Sequence, residues 1–396
     1  MHTARQFLLV CLFVLSNAVH GADAPAAERI KPDRFGIIFN KGYAGDNLPS
    51  EPEEFEKLII AIKNAGFNAV LCKYDAKRLA ICAKHDVQML VDLLVEEQHV
   101  FKNPTKAQEV CESIKDSKAV YGYHLWSDNI GKTYTGRTRD VQNVHQWDPY
   151  HATYVGSYKM AGVAQVQDMD LFGYYDFHFK RGGHWGHLNQ AWAVAKSRDI
   201  GFLRYDDASP GLVGKGNPNR VGYSIATSIV FGLRGYMFHY VRGQIDFKTF
   251  ELDALGKDLA RVNERFAVVG PELVEIGIPS AVYSTRISKT ERNDPNVGEP
   301  IVPGGLAAVP ADCWFQISSG EVLVGESLDA AKRTVLVFAC HNPYENQKVV
   351  VTFPKGIKGV EIFERALKQW RPLAMENGAV CFTVEDFGVE LLRVQR

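Results

Sequence analysis

Between Arg34 and about Val269 the sequence alternates regularly between short apolar runs and longer amphipathic stretches. A short apolar run is typical of a strand that is buried on both faces, and an amphipathic stretch with a period near 3.6 residues is typical of a helix. Parallel strands need a crossover of about a dozen residues between them, and a helix supplies it. The alternation therefore predicts a parallel sheet that is covered by helices.

Eight apolar runs can be assigned as strands, and eight such units favour a closed (β/α)8 TIM barrel over residues 30–270. The alternative is an open, doubly wound sheet, but Asn40-Lys41-Gly42-Tyr43 follows the first strand where a Gly-rich phosphate-binding turn would stand. The predicted strands are residues 35–39, 69–73, 88–94, 119–126, 153–160, 171–177, 201–205 and 235–240. Predicted helices lie at residues 52–65, 76–85, 106–115, 188–197, 221–231 and 251–268.

After Pro271 the pattern changes to short alternating runs without a helical period. Such runs are typical of antiparallel strands, so residues 271–396 are predicted to form a small β-sandwich domain. The segment 291–310 is rich in Pro, Gly and Asn and is predicted to be a long surface loop. The predicted fold class is thus α/β, with a TIM barrel followed by a small antiparallel β-sandwich.

The N-terminal residues have the pattern of a secretory signal peptide. Arg5 precedes an apolar stretch at residues 7–15, and small residues follow at Ala22 and Ala24. The stretch is shorter than the roughly 20 residues that a membrane-spanning helix needs. We therefore expect residues 1–24 to be removed, the mature protein to be secreted or periplasmic, and no membrane to be a partner.

Composition excludes two further classes of partner. The formal net charge of the chain is −1, and its Lys and Arg residues are scattered, which argues against nucleic acid. Of the seven cysteines, Cys11 lies in the signal peptide, and the others lack the close paired spacing of a zinc site. His184 and His187 are a weak metal signal because no further acidic ligands accompany them. We expect no metal and no cofactor.

Polar and aromatic residues are concentrated where the predicted strands end. Active sites of TIM barrels lie at the carboxyl ends of the strands, and the amino ends here are plainer, so the asymmetry indicates a functional site. The candidate substrate-binding residues at these ends are Lys73, His124, Trp126, Asp176, His178, Trp185, Arg204, Tyr205, His239 and Tyr240. The excursion at residues 130–149 is long for a loop and is expected to wall one side of the cleft.

Three segments resemble a known family: residues 65–70 (Ala-Gly-Phe-Asn-Ala-Val), 83–87 (Ala-Lys-His-Asp-Val) and 120–126 (Val-Tyr-Gly-Tyr-His-Leu-Trp). They are similar to the barrel glycoside hydrolases of the retaining (β/α)8 clan, and the resemblance covers most of residues 34–269. In that clan, strand four commonly ends in Asp-Glu-Pro or Asn-Glu, whose Glu is the general acid/base, and strand seven carries a nucleophilic Glu. Because Ser127-Asp128-Asn129 stands at the position of Asp-Glu-Pro, the resemblance implies that Asp128 is the acid/base.

The chain departs from the clan because shorter Asp residues stand at or near both positions of the catalytic Glu. An Asp can protonate a leaving oxygen or activate water, and a wider gap between two carboxyl groups suits an inverting mechanism. The sequence therefore predicts a glycoside hydrolase with Asp128 as the acid and Asp207 as the base or nucleophile. Asp206 is the competitor of Asp207, since alternation lets one of the two point inward.

The predicted partner is a carbohydrate. Sugar rings stack on aromatic rings, which are frequent at the predicted mouth. A sulfated or uronic sugar is one alternative, because cationic residues also lie there, including Lys180, Arg181 and Arg242. Two other functions remain open: a non-catalytic carbohydrate-binding protein on a pseudo-glycosidase barrel, and a lyase or metal-dependent hydrolase on the same barrel. A fold alone does not choose among them.

Overall fold

The structure is a computed structural model, and it describes residues 30–40, 48–126, 134–157, 159–175, 184–207, 218–239, 244–285, 306–353 and 356–396. For Tyr134, Thr135, Asp207 and His239 it describes the backbone. None of the helices within these ranges is long and apolar enough to cross a membrane.

Eight parallel strands form a closed barrel in sequence order, and pairing of the eighth strand with the first completes the ring. The predicted TIM barrel is thus confirmed. The strands are β1 (Gly36–Phe39), β2 (Ala69–Cys72), β3 (Gln88–Asp92), β4 (Val120–Trp126), β5 (Ala152–Ser157), β6 (Leu171–Tyr175), β7 (Gly201–Asp207) and β8 (Leu233–His239).

A helix follows each barrel strand, as a right-handed parallel crossover requires. The helices are α1 (Pro52–Asn64), α2 (Ala76–Lys84), α3 (Pro104–Ile114), α4 (Tyr134–Trp147), α5 (Met160–Val163), α6 (His184–Arg198), α7 (Pro218–Val230) and α8 (Ala254–Glu275). The segment 130–149, predicted as a loop, contains α4. The predicted domain boundary at residue 271 falls inside α8, whose last residue is Glu275.

Alternation along the strands sorts the barrel side chains into two apolar layers. The inner layer fills the barrel and includes Ile38, Leu90, Tyr154, Leu203 and Met237. The outer layer packs against the helices and includes Ile37, Val91, Val155, Phe202 and Phe238. The two layers tell, for each described residue at a strand end, whether its side chain faces the mouth of the barrel or the helices.

Two antiparallel sheets make up the C-terminal domain and confirm the predicted sandwich. A four-stranded sheet has the order β10-β13-β17-β16, and a six-stranded sheet has the order β15-β14-β18-β12-β11-β9. Apolar side chains of the two sheets share one core, while the other face of the six-stranded sheet packs on the barrel helices. The strands are β9 (Ala281–Ser284), β10 (Gln316–Ser319), β11 (Val322–Leu328), β12 (Thr334–Cys340), β13 (Gln347–Thr352), β14 (Gly359–Glu364), β15 (Gln369–Pro372), β16 (Met375–Glu376), β17 (Ala379–Val384) and β18 (Val389–Gln395).

Candidate functional site

The end of β7 separates inward from outward side chains. Leu203 and Tyr205 belong to the apolar layer inside the barrel. Between them, Arg204 points to the helix layer, where its Nε donates to Asp206 Oδ2 at 2.9 Å and its Nη1 donates to Ser228 Oγ of α7 at 2.9 Å. Asp206 also accepts from the hydroxyl of Ser224 on the same helix. Both charged residues therefore lie behind the barrel wall.

Two of the predicted site residues are thus wrong. Asp206 is 2% exposed and Arg204 is fully buried, and both lie on the outward face of β7. Neither side chain reaches the mouth, so Asp206 is not the competing catalytic carboxylate and Arg204 does not bind substrate. The two groups form a buried ion pair that ties β7 to α7, which explains why a charged pair stands in an otherwise apolar strand.

The remaining predicted carboxylate of β7, Asp207, is the last residue of the strand. It lies opposite His239, the last residue of β8, in the register of the two strands. Position 207 follows Leu203 and Tyr205 in the alternation, so it falls on the inward register of β7. Four predicted site residues lie outside the described residues, namely Asp128, Asp176, His178 and Tyr240.

Tyrosines from β6 and β7 cover one side of the barrel mouth. Tyr205 accepts a hydrogen bond from the side-chain amide of Asn40, which follows β1. The ring of Tyr205 contacts that of Tyr175, with centroids 4.8 Å apart. Asn40 is buried and also faces the sulfur of Met237 on β8. These side chains make a floor that combines aromatic surface with polar atoms, which suits a ligand with apolar faces and hydroxyl groups.

The opposite side of the floor carries a carboxylate and an imidazole. Asp92, the last residue of β3, lies in register with His124 of β4, and its Oδ1 is 3.1 Å from His124 Nδ1. The backbone N–H of Leu94 donates to the same Oδ1 at 3.1 Å. The ring of His124 stacks on Tyr154 of β5, with centroids 5.2 Å apart. Carboxylate, turn and tyrosine together fix the imidazole in one orientation.

Trp126, at the end of β4, lies under a cation. The Arg137 guanidinium of α4 stands 3.3 Å from the centroid of its ring and 5.6 Å from that of the exposed Phe101. Arg137 Nη1 also pairs with Asp140 at 2.7 Å. Burial raises the pKa of Asp140, although Arg137 opposes this. Trp126 Nε1 is buried and has no hydrogen-bond partner among the described residues.

Lys73, directly after β2, faces a carboxylate. Its Nζ is 3.3 Å from Glu97 Oε1, in the short turn that follows β3. A hydrogen bond from the Glu97 backbone and then the Lys73 ammonium lower the pKa of Glu97. The pair is largely exposed on the Glu97 side and is therefore worth little to stability. It sets the local charge at this edge of the mouth close to zero.

The prediction that Trp185 stacks on substrate is wrong. Trp185, the second residue of α6, is fully buried and packs between Phe231, which follows α7, and His341 of the C-terminal domain. The neighbouring His184 hydrogen-bonds Thr227 through Nε2 at 3.2 Å. Within the described ranges, no group of three His, Cys, Asp or Glu side chains is placed to hold a metal ion.

Two residues of the floor, Asp92 and Asn40, are not predicted as site residues from the sequence. Asp92 lies inside the strand that the sequence predicts at residues 88–94, whereas β3 ends at Asp92. Asn40 stands in the sequence where a phosphate-binding turn would begin, and that pattern alone does not predict a side chain that faces the mouth. One signal in the sequence identifies both residues. Each is the first polar residue after an apolar run, at a position where alternation along the strand places the side chain inside the barrel.

Comparison with known proteins supports the fold. No protein-family model matches the sequence, and no curated protein matches it. Among solved structures, the chain is similar to a glycoside hydrolase (11% identity, TM-score 0.54, 91% of this chain and 92% of that one). It is also similar to a family 5 glycoside hydrolase from Bacteroides vulgatus (11%, 0.53, 91% and 89%) and to an Anoxybacillus alpha-amylase (10%, 0.50, 91% and 98%). The chain therefore has the fold of a glycoside hydrolase-like barrel followed by an antiparallel β-domain, as the resemblance of its sequence predicts.

Proposed function

We propose that the protein is a secreted or periplasmic glycoside hydrolase that acts on an oligo- or polysaccharide. The observation that carries the proposal is the register of β7. Its outward residues, Arg204 and Asp206, form a buried pair, which leaves Asp207 as the carboxylate at the inward position where the strand ends. A carboxylate at the end of strand seven is the position at which barrel glycosidases place their nucleophile or base.

The proposed mechanism uses Asp207 with Asp128. One carboxylic acid protonates the glycosidic oxygen as the bond to the sugar breaks, and the other carboxylate activates a water molecule or attacks the anomeric carbon. Asp128 follows β4, which is three strands away from β7 around the barrel. Each Asp side chain is one methylene shorter than a Glu side chain. We therefore propose a wider gap between the two carboxyl groups and an inverting mechanism.

The described charges of the mouth favour a neutral sugar. Lys73 faces Glu97, and Arg137 faces Asp140 and stacks on Trp126. A cation that already has a carboxylate partner gains less from a sulfate or uronate than a free one. The floor instead holds the nearly buried rings of Tyr175 and Tyr205, which make this side of the mouth apolar rather than cationic.

The test is hydrolysis of a panel of neutral, sulfated and uronic polysaccharides by the purified protein, followed by release of reducing ends. We expect turnover of a neutral substrate and a loss of about a thousandfold or more in Asp207→Asn and Asp128→Asn, since each removes an acid or base from the reaction. Asp116→Asn, an exposed residue between α3 and β4, is the matched control and keeps full activity. Full activity in Asp207→Asn would refute the assignment.

Binding without hydrolysis is the second candidate, because neither of the usual catalytic Glu residues is present. In that case Asp128→Asn and Asp207→Asn leave sugar affinity undiminished, and no turnover is seen before or after substitution. Affinity measured by calorimetry beside the hydrolysis assay separates the two functions. The anomer released, followed by NMR, then separates an inverting from a retaining reaction.

A further inference from the structure

Asp92 and His124 form a nearly buried pair at the mouth of the barrel. The side chains are 4% and 7% exposed, and one contact of 3.1 Å joins Asp92 Oδ1 to His124 Nδ1. Both lie at inward positions where β3 and β4 end, on the side of the mouth away from Tyr205. Among the described residues, neither Asp92 Oδ2 nor His124 Nε2 has a hydrogen-bond partner, and neither belongs to the fully buried side-chain atoms that lack one.

The contact between the two side chains assigns the hydrogen-bonding roles of their atoms. A carboxylate oxygen accepts, so the tautomer of His124 that fits the contact donates from Nδ1 to Asp92 and keeps Nε2 as an acceptor. The lone pair of Nε2 then faces away from Asp92. Asp92 Oδ1 already accepts from His124 and from the Leu94 N–H, which leaves Oδ2 as the second available acceptor. Two touching side chains, 4% and 7% exposed, therefore each offer one further acceptor atom.

We propose that Asp92 and His124 bind two neighbouring hydroxyl groups of a neutral sugar, one on Oδ2 and one on Nε2. This rests on the proposed function in taking a carbohydrate as the ligand. Both acceptor atoms lack a partner among the described residues without being fully buried, so a ligand rich in donors can match them at the mouth. Vicinal hydroxyls supply two donors at the spacing of adjacent ring carbons. The ring of Tyr154 stacks behind His124 and keeps the imidazole from turning away.

A divalent cation is the rival ligand, because a carboxylate and an imidazole both bind metals. The described residues supply no third ligand beside this pair. The nearby His99 accepts the Phe101 N–H on Nδ1 at 3.2 Å, and burial, Lys102 and Arg137 lower its pKa. The positive charge of Lys102 and Arg137 close by disfavours a cation in this corner of the mouth.

The test is an NMR titration of the full chain with labelled histidines, at pH 8, where an ordinary histidine is neutral. The probes are D-glucose, D-mannose, D-galactose and D-galacturonate. We expect at least one neutral sugar to shift the Nε2 signal of His124 and to leave the signals of His145 and His151 unchanged. Those two are matched controls, since they pair with Asp170 and Asp148 away from the mouth.

Two variants assign the signal and test the second acceptor. The His124 signal is the one that is lost in His124→Gln, or in His124→Asn, whose side-chain N–H can replace Nδ1–H as the donor to Asp92. Asp92→Asn replaces one acceptor by a donor and removes the charge, so affinity for the sugar falls by about tenfold or more. Asp116→Asn binds like the wild type.

Each outcome decides a different claim. A shift that disappears with a chelator means that the pair binds a metal and overturns the proposal. No shift of His124 with any of the four sugars also overturns it, and hydrolysis of a polysaccharide by the same sample would show that the proposed function survives alone. A shift without hydrolysis of any substrate leaves the hydroxyl site standing and removes the hydrolase.

Discussion

Removing the charge of Asp206 tests whether β7 is oriented as described. In Asp206→Asn the volume is kept, but Arg204, which is fully buried, loses a carboxylate that lies 2.9 Å from its Nε. Breaking a buried ion pair from one side typically costs about 3 to 5 kcal/mol. Arg204 keeps Ser228 Oγ at 2.9 Å and His184 Nδ1 at 3.3 Å, so we expect the lower value, about 3 kcal/mol.

Thermal and urea unfolding measure this loss. For a chain of 396 residues that unfolds in one transition, about 3 kcal/mol corresponds to a melting temperature lowered by roughly 4 °C. The double variant Arg204→Met with Asp206→Leu removes both charges and should recover most of the stability, because apolar residues can replace a buried ion pair. Asp116→Asn controls for loss of a surface charge. An Asp206→Asn protein with wild-type melting temperature and no hydrolytic activity would refute the outward orientation of Asp206.

Two further predictions concern the C-terminal domain and its contact with the barrel. Burial raises the pKa of Glu390 from 4.5 to about 7. Between pH 4.5 and pH 7 the folded protein therefore binds more protons than the unfolded chain. The free energy of unfolding of the wild type should fall as the pH rises through this range. Glu390→Gln should remove this fall in the free energy of unfolding, which is at most about 3 kcal/mol. Urea unfolding at pH 5 and pH 8 measures it. The same pH dependence of stability in Glu390→Gln and in the wild type would contradict the assignment. Gly222→Ala should lower the melting temperature, because the new Cβ would lie 2.2 Å from the ring of Phe387. Gly136→Ala, where a Cβ meets nothing within 4 Å inside α4, should be neutral or stabilising, and equal melting temperatures for the two variants would count against the tight fit.

The barrel could be predicted because its strands are apolar on both faces and its helices are amphipathic. Both signals are local, so runs such as residues 69–73 and 201–205 reveal their conformation without tertiary information. The helix α4 was missed because the segment that holds it is polar and begins after a turn-rich stretch. Its stability comes from packing, through contacts such as Arg137 on Trp126, which the sequence does not display.

The site was harder to predict because one residue of register reverses the face of a side chain. Arg204 and Asp206 are charged and lie near the end of a strand. The sequence pattern of two such residues is the same whether they face the mouth of the barrel or form a buried ion pair behind it. Asp92 and His124 show the reverse case. Their positions are 32 residues apart, and the register that sets them side by side arises when β3 pairs with β4.

The helix α7 has no solvent face: every residue from Arg220 to Val230 is buried. On one side it holds the back of β7 through Ser224 and Ser228, and on the other it receives β12 of the six-stranded sheet. A barrel expressed without residues 281–396 would expose this apolar surface to water and would aggregate. The C-terminal domain therefore covers apolar surface of the barrel, and the two domains should unfold in a single transition.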